Sequence, residues 1–365
     1  MTGGRRRSAA DAGFTLLETL VATGLMAVVA GAVFSLANPR TAIASALPDA
    51  ADMQQRARVA VDAIARDLVA AGAGLDAGAD AGSLGRFLPA VLPRRTGRSG
   101  ADAPDVARND AVTLTWALGP PAQALTASVL GPSATTLAVT TLPGCPIGDP
   151  LCGLAAGSDA LVFDALGHAD TYRVIDVQGG VATVTPHDAA ATYLYPAGAR
   201  IVAAATRVYY LDAVNRQLHQ YDGYLGDTPL VDNVVGLTLE YFGDPAPPAA
   251  PKPPPGLENC LYDAAGQPRG GLAVLPSADG SPVPLPLAML RDGPWCGEGS
   301  GRFDADLLRV RRVRVTLRVQ AAADARRATG VAYATAGTSH RDDQALPDYV
   351  VTTEIAPRNL TGGAR

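Results

Sequence analysis

One carboxylate, Glu18, lies inside an apolar run that is otherwise uncharged from Phe14 to Ala37. At about 1.5 Å of helical rise per residue, this run is long enough to cross the roughly 30 Å hydrocarbon core of a bilayer. An ionised carboxylate in such a segment costs about 2.5 to 3.5 kcal/mol on insertion scales, and residues of this kind are usually paired. We therefore expect Glu18 to have a partner.

The rest of the chain lacks the residue patterns of common active sites. Its four histidines, His168, His187, His219 and His340, form no HExxH pair, and neither a GxSxG nor a GxxxxGK[ST] string occurs. The single lysine, Lys252, lies among prolines and not in a phosphate-binding loop. These observations predict that the protein is not an enzyme and has no cofactor.

Two groups of aspartates are candidates for calcium binding: Asp76 with Asp80, and Asp102 with Asp105 and Asp110. Neither group has the twelve-residue spacing or the closing glutamate of an EF-hand loop. We interpret both groups as solvated turn aspartates and expect no metal site.

The charges around the apolar run predict its orientation in a membrane. Arg5, Arg6 and Arg7 precede the run, and no comparable basic cluster follows it closely. The positive-inside rule therefore keeps the N-terminus in the cytoplasm and places the C-terminal bulk outside it. The net charge of −5 does not favour general nucleic-acid binding.

The string Gly13-Phe14-Thr15-Leu16-Leu17-Glu18 resembles the cleavage and methylation site of type IV prepilins. The resemblance implies that a prepilin peptidase removes a basic leader, residues 1–13, by cutting between Gly13 and Phe14. It also implies N-methylation of Phe14 and a role for Glu18 in assembly, opposite the Phe14 amine of a neighbouring subunit.

Two alternatives to a prepilin segment are a secretory signal peptide and a plain membrane anchor. A signal peptide has an apolar region of about 7 to 15 residues with small residues at a cleavage point after it. The run in this chain is longer, and its carboxylate stands near the start. A plain membrane anchor does not explain why a glutamate is present at position 18 of the apolar run. The spacing of the basic leader, the glycine, the phenylalanine and the glutamate favours the prepilin interpretation.

The order of the remaining elements resembles PilW-type minor pilins and, more loosely, the J-type minor pseudopilins of type II secretion. Outside the prepilin segment the resemblance is weak and rests on short strings such as Gln54–Arg58, Val208–Leu211, Leu230–Val234 and Arg358–Leu360. It implies an α+β, pilin-like fold in which a long N-terminal helix packs on a β-rich head formed by residues 76–365.

Three functions follow as expectations from this resemblance. The protein is a minor pilin that helps to initiate and cap a type IV pilus, a minor pseudopilin in a type II secretion tip complex, or a pilus-associated adhesin or DNA-uptake pilin. The expected partners are prepilin peptidase, the other minor pilins and the major pilin, the inner membrane and the pilus assembly platform. The expected location is the inner membrane, with a single span and a periplasmic head, and then the tip of a pilus or pseudopilus.

Two helical segments are predicted to connect Glu18 to the head: a transmembrane and assembly helix over residues 14–38 and an amphipathic helix over residues 39–75. Asn38-Pro39 predicts a kink or a break and Pro48 a second interruption, because proline removes a helical hydrogen bond and restricts the preceding residue. The glycines at 72 and 74 predict the end of the second helix. Its apolar residues recur every three or four positions, which predicts packing on the protein's own sheet; they are Met53, Ala57, Ala60, Val61, Ile64, Leu68 and Ala71.

The head is predicted to be mostly β-structure. Runs rich in β-branched and aromatic residues occur at 111–116, 136–141, 160–164, 171–177, 181–185, 200–211 and 349–355, with a hairpin turn around Asn215. Val231 to Tyr241 predicts one alternating strand, and residues 78–107 predict irregular surface structure. Arg312 to Gln320 predicts a strand whose arginine face is solvated edge protection or pairs with another subunit.

Four cysteines, an even number in an extracytoplasmic domain, predict disulfides. Cys145 and Cys152 flank a short loop, whereas Cys260 and Cys296 lie in a proline-rich insertion at about 245–301, whose first part, Asp244 to Gly256, we expect to be extended and exposed. We expect the pairs Cys145–Cys152 and Cys260–Cys296, although four cysteines permit three connectivities. A zinc site is the alternative, but the usual two-residue cysteine spacing is missing.

Overall fold

The computed structural model describes residues 15–74, 83–118, 124–127, 130–141, 145–187, 193–322 and 346–360. Within these residues the chain forms one long α-helix and a β-rich domain in which a sheet curls on itself, which confirms the predicted α+β class. The helix, α1, spans Leu16–Ala70. Its N-terminal part is apolar and exposed, and its C-terminal part packs on the head.

Helix α1 is continuous, so the break considered at Asn38-Pro39 does not occur and the interruption predicted at Pro48 is wrong, whereas a kink at Asn38-Pro39 stays a prediction. Its 55 residues include both prolines, and the boundary predicted at residue 38 is not a break in secondary structure. A proline inside a helix costs about 3 kcal/mol through a lost hydrogen bond and a clash. Ending and restarting a helix leaves the last C=O groups and the first N–H groups without helical partners. Continuing through proline is therefore less costly when both flanking segments are strongly helical.

The C-terminal part of α1 buries its apolar face, as predicted. The buried residues are Met53, Ala57, Ala60, Ile64, Leu68 and Ala71. The helix ends at Ala70, and Gly72 adopts a φ of 75°, a left-handed conformation that glycine takes without strain. The prediction that the glycines end this helix is confirmed.

Ten strands of the described chain form an antiparallel sheet. In chain order they are β1 (Val91–Leu92), β2 (Ala111–Ala117), β3 (Ala124–Thr126), β4 (Thr136–Thr141), β5 (Asp159–Phe163), β6 (Ala169–Gln178), β7 (Val181–Pro186), β8 (Arg200–Asp212), β9 (Gln217–Tyr221) and β10 (Asp227–Asp232). The long strand β8 organises the sheet. Its first part pairs with β3 and β5, and its second part pairs with β9, while β2 follows β3 along the same edge.

Part of this sheet closes into a small barrel. The ring runs β8-β3-β4-β7-β6-β5 and returns to β8, because β5 pairs with both β6 and β8. The barrel, residues 124–204, has its own hydrophobic cluster, which includes Leu137, Val162, Tyr172, Val184 and Ile201. Sequence patterns predicted these strands except β3, but not their closure.

The second sheet packs against α1. Among the described residues its order is β12-β11-β15-β16, formed by β11 (Val234–Gly243), β12 (Val283–Leu285), β15 (Val310–Val319) and β16 (Tyr349–Ile355). β13 (Trp295–Cys296) and β14 (Phe303–Asp304) form a separate pair. The inner face of β15 is buried, as predicted, through Val313, Val315, Leu317 and Val319.

The prediction that the arginine face of β15 protects a sheet edge is wrong, because β15 lies between β11 and β16. Arg314 contacts Glu354 on β16 at 2.6 Å and Glu240 on β11 at 3.3 Å. Arg312 contacts Glu354 at 3.2 Å. These arginines are matched by glutamates on the two neighbouring strands, which the sequence of β15 alone does not reveal.

Two further segments depart from the predictions. The single strand expected from Val231 to Tyr241 divides at Asn233, whose φ of 59° separates β10 from β11; asparagine tolerates this left-handed conformation better than most residues. Residues 83–107 are not only surface structure, since Leu84 and Val91 are buried in the main core. The many glycines and prolines of this segment obscured the few apolar residues that pack in the same core as α1.

Both expected disulfides are present, with Cα–Cα distances of 4.9 Å for Cys145–Cys152 and 5.0 Å for Cys260–Cys296. The first closes a loop of the barrel, and the second ties the proline-rich insertion. Pro251 and Pro253 of this insertion are buried, so the prediction that Asp244 to Gly256 is exposed is wrong at these two residues.

Candidate assembly segment

Glu18 lies in the first turn of α1, where it forms a capping box with Thr15. Thr15 is the N-cap residue and has extended backbone, with φ −75° and ψ 150°. Its Oγ1 accepts a hydrogen bond from the backbone N–H of Glu18 at 3.3 Å. Glu18 Oε2 in turn accepts hydrogen bonds from the backbone N–H and the hydroxyl of Thr15 at 3.0 and 3.1 Å. The carboxylate therefore lies at the positive end of the helix dipole.

This capping box is a local partner for Glu18 that the sequence reasoning missed. The signal was the string Thr15-Leu16-Leu17-Glu18, in which a threonine precedes a glutamate by three positions ahead of an apolar run. The two hydrogen bonds both go to Oε2, and neither brings a positively charged group to the carboxylate. Gly13 and Phe14 lie outside the described residues, so the pairing of Glu18 with a neighbouring Phe14 amine stays a prediction.

The segment Leu16–Ser35 is long and apolar enough to cross a membrane once. Its 20 residues have a mean hydropathy of 2.0, and none of them is buried by the head. Leu16 and Phe34 expose 80% and 78% of their surfaces. Contiguous apolar surface costs about 25 cal/mol per Å² in water, and stretches of this size mark membrane or protein contacts.

The hydroxyl groups of this span are satisfied inside the helix. Thr19 Oγ1, Thr23 Oγ1 and Ser35 Oγ each donate to a backbone carbonyl three or four residues earlier, at 2.9, 2.8 and 2.9 Å. Lipid offers no hydrogen bonds, so this internal pairing removes the cost of burying them. Glu18 is thus the charged residue of an otherwise apolar helical segment.

Small residues lie on one face of the same span. Gly24, Ala27 and Gly31 are spaced by three and four positions, which places them on one side of a helix. A side chain added at Gly24 or Gly31 would meet nothing within 4 Å. In membranes, small residues at such spacing let two helices approach closely.

The C-terminal part of α1 is fixed to the head near its end. Tyr209 Oη on β8 donates to Asp67 Oδ2 at 2.7 Å, and the backbone N–H of Gly72 donates to the carbonyl of Thr115 on β2 at 2.9 Å. Burial, with a smaller contribution from Asp67, raises the pKa of Tyr209, so its hydroxyl stays protonated as a donor. The apolar span and the head are therefore linked through one continuous helix.

The three described histidines each pair with an aspartate. The distances are 2.8 Å for His168–Asp164, 2.8 Å for His187–Asp159 and 2.9 Å for His219–Asp227. Such pairs orient the imidazole in structural as well as catalytic settings. His340 lies outside the described residues, and the expectation that the protein is not an enzyme stays a prediction.

Of the aspartates considered as calcium ligands, some form ion pairs with an arginine and others lie outside the described residues. Asp102 and Asp110 both contact Arg108, at 3.3 and 2.7 Å, so these carboxylates belong to an ion-pair cluster. Their hydrogen bonds and charges raise the pKa of Arg108. Asp76 and Asp80 fall outside the described residues.

A second acidic cluster was not anticipated. Asp292, Asp304 and Asp306 each place a carboxylate oxygen within 4.8 Å of the others. Asp306 also contacts Arg309, whose Nε lies 2.6 Å from its Oδ1. The pairing of β13 with β14 and the neighbouring turns bring these residues together, and no sequence pattern of ours indicated it.

Glu18, its threonine cap and the exposed span thus form the part of the described chain best suited to assembly in a membrane. Comparison of the chain with protein-family models and with curated proteins gives no match.

Proposed function

We propose that this protein is a minor pilin, processed by prepilin peptidase between Gly13 and Phe14 and assembled through α1 at the tip of a type IV pilus. One observation carries the proposal. A capped glutamate stands in the first turn of an exposed, membrane-length helix that continues without a break into the core of a folded head. A plain anchor needs neither the glutamate nor the rigid connection.

The proposed mechanism is helix association in the membrane followed by transfer into the filament. The small-residue face of α1 supports close helix contact. Glu18, which accepts from Thr15 through one carboxylate oxygen, retains a negative charge that the Phe14 amine of a neighbouring subunit neutralises. The head, carried rigidly on α1, then lies at the filament tip with the neighbouring minor pilins.

Processing is the first test. Intact-mass analysis of the protein purified from its native membrane should give an N-terminus at Phe14 carrying one methyl group. Gly13→Leu should accumulate as an uncleaved precursor, whereas Gly24→Leu, a matched change inside the span, should be cleaved normally. An N-terminus elsewhere, or normal cleavage of Gly13→Leu, would refute the prepilin assignment.

Assembly is tested separately from processing. Glu18→Gln keeps the hydrogen-bond acceptor for Thr15 but removes the charge, so it should be cleaved and inserted yet be depleted from sheared filaments. Thr15→Ala removes the cap and keeps the charge, and it should enter filaments more efficiently than Glu18→Gln. Wild-type incorporation of Glu18→Gln would contradict the role of its charge.

A minor pseudopilin of a type II secretion tip is the second candidate, because the same anchor and head suit that machine. Deletion of the gene distinguishes the two. Loss of piliation and twitching with normal protein secretion supports the pilus, and the opposite phenotype supports the secretion system.

A further inference from the structure

The acidic cluster formed by Asp292, Asp304 and Asp306 joins the C-terminal end of the proline-rich insertion, which contains Asp292, to the residues just after it, and Arg309 connects this cluster to earlier parts of the insertion. The side chain of Arg309 is fully buried. Its Nη1 donates to the carbonyl of Pro245 at 3.2 Å and its Nη2 to the carbonyl of Ala273 at 2.8 Å. Arg309 therefore holds two separate points of the insertion while its Nε contacts Asp306.

These contacts matter because prolines supply no backbone N–H groups for a strand ladder. The segment that follows β11 is held instead by a few backbone and side-chain contacts. The backbone N–H of Asp244 donates to the carbonyl of Arg309 at 3.0 Å, the backbone N–H of Leu275 donates to the carbonyl of Pro245 at 2.8 Å, and the Asp244 carboxylate contacts Arg311 at 2.6 Å. Arg309, through its carbonyl and its guanidinium, is thus one of the main groups that hold the start of the insertion.

The cluster carries more negative than positive charge. Among the described residues around it, three carboxylates face one guanidinium, and Asp304 and Asp306 are buried. Buried charge without full compensation is costly and is commonly relieved by proton uptake. Burial raises the pKa of Asp304. Burial also raises the pKa of Asp306 to about 7, against the opposing effect of Arg309 and with reinforcement from Asp304 and Asp292.

We propose that Asp292, Asp304, Asp306 and Arg309 form a proton-operated latch that holds the proline-rich insertion against the head. Proton uptake reduces the repulsion within the cluster and leaves Arg309 on its two carbonyls. Proton loss adds a buried negative charge, separates the carboxylates and admits water, which loosens the insertion. The charged groups facing Asp306 are Arg309 on its own turn, Asp304 from β14 and Asp292 from the turn before β13.

The direction of the pH effect follows from the linkage between proton binding and closure of the insertion. Asp306 binds its proton more tightly in the closed state than in an open one, so closure is favoured below the pKa of the open state and is lost as pH rises through about 7. A single linked proton changes an opening equilibrium by up to tenfold per pH unit. An extracytoplasmic head would experience such changes directly.

Hydrogen exchange of the full-length protein in detergent micelles tests the latch. Between about pH 6 and pH 8.5, after correction for intrinsic exchange, protection of residues 244–258 and 272–276 should fall about tenfold, while protection of β4 and β7 in the barrel stays constant. Trp295, which pairs with Asp304 across β13 and β14, gives a second readout by fluorescence in a Trp116→Phe background.

Asp306→Asn, which mimics the protonated acid, should keep the insertion protected at both pH values. Asp279→Asn, at an exposed aspartate of the same insertion, should behave as the unmodified protein. Equal protection of the unmodified protein at both pH values would overturn the latch, and so would an Asp306→Asn variant that retains the full pH dependence.

Discussion

Removing the Ile64 side chain tests whether α1 is part of the head's core. Ile64 is fully buried on the face of α1 that packs on the head. Large-to-small substitutions at such positions cost about 2 to 5 kcal/mol, and the cost is greatest where the surroundings cannot collapse into the cavity. The contacts of Asp67 and Gly72 with β8 and β2 fix the helix a short distance away. We therefore expect Ile64→Ala to lower the free energy of unfolding by about 3 to 4 kcal/mol.

The matched control is Val59→Ala on the opposite side of the helix. Val59 is 45% exposed, so its truncation loses little packing, and alanine favours the helix slightly. Its effect should lie within about 0.5 kcal/mol of zero. Urea unfolding in detergent, followed by tryptophan fluorescence with the slope m held as a check, measures both variants. A loss below about 1 kcal/mol for Ile64→Ala, or equal effects of the two variants, would refute the docking of α1 on the head.

Three other perturbations have expected outcomes. Replacing Cys145 and Cys152 by serine should destabilise the barrel by about 2 to 3 kcal/mol, the loop-closure value for so short a loop, and calorimetry of the oxidised proteins measures it. Gly97→Ala should destabilise the protein far more than Gly157→Ala. Both positions have positive φ, but only at Gly97 would the new Cβ lie 2.7 Å from the backbone of a neighbouring loop. Chemical denaturation compares the two variants. The neighbouring arginines lower the pKa of Glu354, so its stabilising effect is present above its ordinary pKa and is lost as pH falls through the lowered value. The free energies of unfolding of Glu354→Gln and of the unmodified protein should therefore converge in acid. A difference that stays constant with pH would contradict this.

Local patterns predicted the elements of this fold better than their arrangement. The strand at 312–320 and the buried face of α1 follow from period-two and period-3.6 patterns, which depend on one surface facing a core. Helix α1 continues through Pro39 and Pro48 because the segments on either side are strongly helical. A rule based on the proline alone does not take these flanking segments into account.

Non-local pairing explains the other differences. The position of β15 inside its sheet depends on β11 and β16, which lie far from it in the chain, and so does the pairing of Arg314 with glutamates on both. Closure of the barrel needs β5 to meet β8, and the acidic cluster needs β13 to meet β14. Glu18 could be singled out from sequence because an acid in an apolar run is anomalous by itself, whereas its cap at Thr15 required the helix start to be located first.

The barrel leaves and rejoins the sheet at one place. Ala117, the last residue of β2, pairs with Ala204 on β8, so the chain departs and returns across a single rung of the ladder. A tight turn joining these two positions would preserve the pairing of β2 with β8. The barrel is nevertheless joined to the rest of the head through its core, because Leu161 and Phe163 on β5 and Val202 on β8 are buried in the same cluster as the C-terminal part of α1. Replacing the barrel would therefore keep this ladder only if new apolar residues filled those three places.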